Sequence, residues 1–182
     1  LEEERELGNI FPQGAVLSTI SKNGKPRSRV VGTMLDKQNV PKFFTSPSSR
    51  KIQDITFSTS ASLTYSFQSS VRSISIEGEI SELSDEELDQ DWPKHDEGFR
   101  KHYVVFGATS GETVTSLETL RSKRDGLNTV EYEVRPASFV GYKFSTINRI
   151  SFYSVKDGDF AVNRVFDWDR KNGGWSNSLL VP

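Results

Sequence analysis

SVRSISIEGEISELS, residues 70–84, alternates isoleucine with serine and glutamate, and this period of two decides the fold. Ile74, Ile76 and Ile80 fall on one face, and Ser73, Ser75, Glu77 and Glu79 on the other. A strand so patterned packs one side on a core and leaves the other in water, which is the habit of antiparallel sheets. Working outward, GAVLSTISKNGKPRSRVV (14–31) gives two strand-like runs joined at Asn23-Gly24, a hairpin signal. VPKFFT (40–45) and SASLTYSFQ (60–68) add two more. Downstream, TVEYEVRP (129–136), SFVGYKFS (138–145), RISFYSV (149–155), DFAVNRVFDW (159–168) and WSNSLLVP (175–182) read as strands, with turns at Asp157-Gly158 and Gly173-Gly174.

Helical signals are fewer. LEEERELGN (1–9) is a short acidic helix ended by Gly8-Asn9, and KIQDITF (51–57) is a second. Ser84 with Glu87 forms a capping box for a third, and 116–126 is a fourth, with Ser116 as cap and Gly126 as its C′ residue. The expected architecture is a mainly β, antiparallel barrel of about nine strands with attached helices, forming a single domain over 1–182 with a helical insert at about 84–126. The polar stretch around 94–100 reads as a loop or a lid, and no role is assigned to 94–113 as a whole.

Composition narrows the function. A net charge of −2 gives no general attraction to nucleic acid or acidic membrane. The absence of cysteine removes disulfides, thiolate catalysis and Cys-zinc sites. Hydrophobic residues are only 34% of the 182, while aromatics reach 11%, which favours an aromatic and β-branched core. No apolar run spans a bilayer, and the expected location is the cytoplasm. The two histidines, His95 and His102, lie in polar sequence and read as solvated; their spacing fits no zinc pattern. The carboxylates of 85–91 suit a helix N-terminus, and the Arg121–Arg124 run suits a helix end, so neither is read as a site. No P-loop or Gly-x-Gly-x-x-Gly run is present, so a cofactor is the expected carrier of any chemistry.

FFTSPSSRK (43–51) points to that cofactor. A strand breaks at Pro47-Ser48-Ser49, and Arg50 and Lys51 then occupy the first turn of a helix, where the dipole disfavours cations. A bound anion would remove the conflict, although an ordinary Ser-capped helix with surface cations explains the stretch taken alone. The stretch resembles the strand–turn–helix that closes over FMN in the pyridoxamine 5′-phosphate oxidase family, the FMN-binding split barrels. TISKNGKPRSRVV is similar to that family's first hairpin, with Gly24, Pro26 and Arg29 in the matching places. RSISIEGEISELSDEE and the final NRISFYSVKDGDFAVNRVFDWDRKNGGWSNSLLVP continue the likeness to the end of the chain.

The resemblance implies a homodimer that binds FMN at the subunit interface. Its cofactor residues would be Arg29, Val30, Phe44, Thr45, Ser49, Arg50, Lys51, Ser73, Tyr153 and Arg164. Phe44 and Thr45 would border the flavin ring, and Tyr153 and Arg164 would come from the partner's C-terminal part. The vitamin half matches poorly. Met34 stands where the family has a phosphate-binding Lys, Ser73 replaces a Gln, and Phe160-Ala161-Val162-Asn163-Arg164 replaces Arg-Leu-His-Asp-Arg. The expected function is an FMN-dependent oxidoreductase with altered or lost vitamin B6 activity and an unassigned small-molecule substrate. The alternatives are a genuine pyridoxamine 5′-phosphate oxidase or a non-catalytic FMN-binding barrel.

Overall fold

In the computed structural model, residues 1–155 and 160–181 are described; the expected turn at Asp157-Gly158 and the final Pro182 lie outside them. Eight strands carry the fold: β1 (Gly14–Ile20), β2 (Pro26–Leu35), β3 (Pro41–Thr45), β4 (Ser60–Phe67), β5 (Arg72–Glu82), β6 (Val140–Ser154), β7 (Val162–Asp169) and β8 (Gly174–Leu180). They run in the order β3-β2-β1-β4-β5-β6-β7-β8, all pairs antiparallel, and β3 also pairs with β6. The last pairing closes six strands into a barrel and leaves β7 and β8 as an outer wing. This meets the expectation of an antiparallel split barrel. The β1–β2 hairpin turns at Gly24, whose φ of +71° suits a residue without Cβ.

Strand β6 corrects one reading. Two strands were expected at 138–145 and 149–155, but one 15-residue strand runs through both. Register shifts against β5 at Glu77/Gly78 and Glu79/Ile80 leave Ser145 and Asn148 without partners, and each such bulge resets the alternation. The interrupted pattern therefore looked like a break. Gly78 sits at one of these shifts, where a Cβ would meet the Thr146 carbonyl oxygen at 2.0 Å.

The barrel interior is filled by Leu17, Leu63, Phe43, Ile76, Ile80 and Phe144, all buried. Helix α1 (Glu2–Glu6) precedes the barrel, and α2 (Arg50–Phe57) connects β3 to β4, burying Asp54 and Ile55. Between β5 and β6 lie α3 (Asp85–Asp91), α4 (Glu97–Phe106), α5 (Leu117–Asp125) and α6 (Thr129–Glu133). The capping box at Ser84 and Glu87 forms as expected. Gly126 ends α5 with ordinary right-handed dihedrals rather than the left-handed C′ geometry expected of it.

Two further readings fail here. TVEYEVRP is not a strand: Asn128 and Glu131 cap each other reciprocally and start α6, so a capping box outweighs local β-propensity. The stretch from 97 to 106 is a helix rather than a loop, capped by Asp96, which accepts from the Phe99 N–H at 2.8 Å. Phe99, Tyr103 and Val104 pack against a second core made of Leu83, Leu88, Trp92 and Phe139. Lys42 of β3 enters this junction, its ammonium 2.5 Å from the buried Asp91 carboxylate.

His95 belongs to the same cluster and is not solvated. Its ring stacks on Phe99 at 4.0 Å between centroids and meets Phe44 and Phe139 edge-on at 4.9 and 5.6 Å. Burial penalises the imidazolium and holds the pKa at about 4, against an ordinary 6.5, even with Asp91 and Asp96 nearby. The polar neighbours in sequence hide the fact that α4 folds back over the ring.

Two outcomes test these features. Gly78→Ala is expected to cost at least about 2 kcal/mol of stability in chemical denaturation, because backbone must move to admit the methyl. Between pH 6.5 and about 4, the unfolded chain protonates His95 while the folded chain does not. Stability therefore falls as pH drops through that window. His95→Phe keeps the packing and is expected to flatten the acid limb of a Tm–pH plot; an unaltered slope would exclude a buried neutral imidazole.

Candidate cofactor site

The end of β3 and the start of α2 build one continuous polar cluster. Ser49 occupies the N-cap position, yet its side chain does not cap the helix. It pairs instead with the Thr45 hydroxyl at 3.0 Å. The Lys51 ammonium donates to Thr45 Oγ1 at 2.9 Å and to Ser49 Oγ at 3.4 Å. Thr45 and Ser49 are buried and Lys51 is half-buried. Burial pushes the Lys51 pKa below its usual 10.5, and the positive charge of Arg29 pushes it the same way. Two cations are thus held near one uncapped helix N-terminus, an arrangement that favours an anion.

Arg29 reaches this cluster from β2. One nitrogen of its guanidinium donates to Thr19 Oγ1 at 2.7 Å and to the Leu17 carbonyl at 3.4 Å; the other donates to Asp54 Oδ2 at 3.1 Å. Asp54 lies on α2, three residues beyond Lys51 and so on the same helix face. Its carboxylate also accepts from Thr19 Oγ1 at 2.8 Å and from Arg27 at 2.8 Å. Thr19, Arg27 and Asp54 were not singled out in the sequence. An aspartate in KIQDITF reads as a solvent-facing helix position, and only the packing of α2 against the hairpin buries it to 1% exposure.

The other expected cofactor residues are placed differently. Arg50 is exposed and makes no ion pair among the described residues. Val30 lies on the outer wall of the barrel, 67% exposed, opposite Val16. The Phe44 ring does not share the face of Thr45. Adjacent strand residues point to opposite sides, and Phe44 stacks on Phe139 at 4.8 Å within the second core. Ser73 and Tyr153 are cross-strand partners, and Arg164 pairs with Phe152, the neighbour of Tyr153, while its guanidinium donates to Asn177. Strands β1 and β4 separate Ser73 from Arg29, and on the other side, where β3 pairs with β6, Tyr153 lies well beyond the Val140–Lys143 segment that meets β3.

Two contacts tie the helical segment to the cluster. The Tyr103 hydroxyl of α4 hydrogen-bonds the Thr45 carbonyl, and burial raises its pKa. The Ser48 hydroxyl donates to the Ser110 carbonyl at 3.4 Å, so the 110 loop lies beside the α2 N-terminus. Met34 faces Lys42 across the β2–β3 ladder, and that ammonium is already taken by Asp91. An open groove on the outer wall, lined by Ser18, Ser62, Glu77 and Asn148 among others, presents carboxylates and suits no phosphate.

Comparison with known proteins identifies the family. The pyridoxamine 5′-phosphate oxidase family model matches residues 11–120. A pyridoxine/pyridoxamine 5′-phosphate oxidase of Leptospira biflexa is 33% identical over 99% of this chain and 84% of its own length. One of Burkholderia mallei is 25% identical over 94% and 80%. Among solved structures, PhzG of Burkholderia lata, in complex with tetrahydrophenazine-1-carboxylic acid, superposes with a TM-score of 0.82 at 20% identity, covering 100% of this chain and 88% of that one. A pyridoxamine 5′-phosphate oxidase-related, FMN-binding protein of Nostoc punctiforme does so at 0.79 and 13% identity, covering 100% and 95%. In fold and in sequence, the chain belongs to the pyridoxamine 5′-phosphate oxidase family.

Proposed function

We propose that this protein binds FMN and acts as a flavin-dependent oxidoreductase whose activity on vitamin B6 phosphates is altered or lost. The observation that carries this reading is the cluster of Arg29, Thr45, Ser49 and Lys51 around an uncapped helix N-terminus. Cationic, hydroxyl and backbone N–H donors are what a phosphate monoester requires. When bound, FMN would supply the two-electron acceptor for substrate oxidation. Lys51 and Arg29 would hold its phosphate, and the Thr45 and Ser49 hydroxyls would orient the Lys51 ammonium.

Ser73, Tyr153 and Arg164 lie apart from that phosphate group within one chain, across β1 and β4 on one side and at the far end of β6 from its pairing with β3 on the other. A homodimer resolves this, with the second copy supplying the β5–β7 group. Val16, Ile20 and Val30 on the outer wall are partly exposed apolar residues that such a partner would cover. The altered substrate preference rests on Met34 and on Lys42. With one lacking charge and the other committed to Asp91, that ladder position offers no donor to a substrate phosphate. The 33% identity to a pyridoxine/pyridoxamine 5′-phosphate oxidase favours a second reading, in which B6 oxidation persists through other residues.

The test is optical. Purified protein is expected to retain flavin absorbance through gel filtration after incubation with FMN. Arg29→Ala with Lys51→Ala should weaken FMN binding at least about 100-fold, since each lost charged hydrogen-bond partner costs roughly 1.5–3 kcal/mol. Pyridoxamine 5′-phosphate is expected to leave the bound flavin oxidised under anaerobic conditions; rapid bleaching would establish the second reading. Affinity should also fall below about pH 6, as the phosphate takes up its second proton. It should fall again at alkaline pH below 10.5, where the depressed Lys51 deprotonates. A flat profile would place the phosphate away from Lys51.

A further inference from the structure

We propose that Asp54 is a positioning residue for phosphate binding: it holds the Arg29 guanidinium in place, using Arg27 and Thr19 as its other supports. This rests on the FMN reading above and assigns a role to residues that reading does not use. The geometry carries it. Asp54 is 1% exposed, and both carboxylate oxygens are occupied: Oδ1 by Arg27 at 2.8 Å, Oδ2 by Arg29 at 3.1 Å and by Thr19 at 2.8 Å. Thr19 Oγ1 closes a ring, since it donates to Asp54 and accepts from Arg29 at 2.7 Å. An arginine side chain otherwise has many rotamers, and fixing it before the ligand arrives removes much of the ordering cost of binding.

Charge supports the same assignment. Arg27, Arg29 and Lys51 bring three positive charges and Asp54 one negative, leaving two. A phosphate monoester carries about −1.5 to −2 at neutral pH, so the ligand would neutralise the group almost completely. Asp54 thus serves two ends. It draws the half-buried Arg27 and Arg29 together on one carboxylate, and they neutralise its own buried charge, which unpaired would be strongly destabilising. It also leaves Lys51 without a carboxylate partner, since no ion pair involving Lys51 forms among the described residues and its contacts are hydroxyls. The helix places the two residues one turn apart, so the carboxylate serves the arginines while the ammonium stays available.

The two physical effects of Asp54 have opposite signs, which makes the proposal testable. Through space, a carboxylate near the site repels phosphate, so its removal alone would tighten binding. As a positioning group, its removal loosens binding. Asp54→Asn, in the full-length protein, is expected to weaken FMN binding at least tenfold while riboflavin, which lacks the phosphate, binds as to wild type. Thr19→Val keeps every charge and removes only the bridging hydroxyl; it should lower FMN affinity about threefold or more with riboflavin again unaffected. Circular dichroism checks that both variants fold, and if Asp54→Asn does not, Thr19→Val decides. An FMN-to-riboflavin affinity ratio that stays at the wild-type value, or rises, overturns the positioning role while leaving FMN binding intact. A wild-type protein that takes up no flavin overturns the cofactor reading and this proposal with it.

Discussion

The pairing of β3 with β6 is the constraint on which the rest of the structure depends. It joins Lys42–Thr45 to Val140–Lys143 and turns an open sheet into a barrel. Strand β3 is only five residues long, so the closure needs its partner to reach past it. β6 does so with 15 residues, meeting β3 near its start and β7 farther along, while β5 runs beside it from Tyr142 to Ser154. The chain that leaves β3 is then held at the barrel rim, and α2 begins there. Thr45, Ser49 and Lys51 owe their proximity to that fixed exit. So does the junction with the helical segment, because Phe44 faces outward from the same five residues and anchors the second core.

The α2 side and the α3 side of β3 differ in how their charges are used. Around α2, cations outnumber carboxylates and the hydroxyls are turned inward. On the β3 face toward α3, each cation has an acid: Lys42 and Lys94 both bind Asp91, and Lys143 binds Glu87. A buried pair of this kind holds elements in register but has little left to offer a ligand. Met34 thus lies across the ladder from an ammonium that is already paired internally.

Much of the barrel was legible in the sequence because strands with one wet face advertise themselves by alternation. The β1–β2 hairpin, β3, β4 and β5 all appear where residue period and turn chemistry place them. The failures share a cause: local pattern was overridden by an interaction between neighbours or by packing at a distance. Two bulges disguised β6 as two strands, and a four-residue capping box made a helix from Thr, Val and Tyr. Within the site, Arg29, Thr45, Ser49 and Lys51 could be named from motif likeness, and the structure brings those four together. The orientation of Phe44 was available from strand alternation, since Phe43 and Thr45 both face inward. Asp54 left no sequence signal, because its burial arises only when α2 meets a hairpin some thirty residues earlier.

The contact between Tyr103 and the Thr45 carbonyl couples two parts of the molecule that are built separately. The helical segment rests on its own small core, and segments of that kind open as cooperative units with less free energy than the whole fold requires. Each such opening would release Tyr103 and loosen the strand end that carries the Thr45 hydroxyl. By linkage, any ligand that prefers the closed strand end stabilises the helical segment by mass action. Amide protection in α4 is thus a reporter of occupancy at the α2 N-terminus, read from the opposite side of β3.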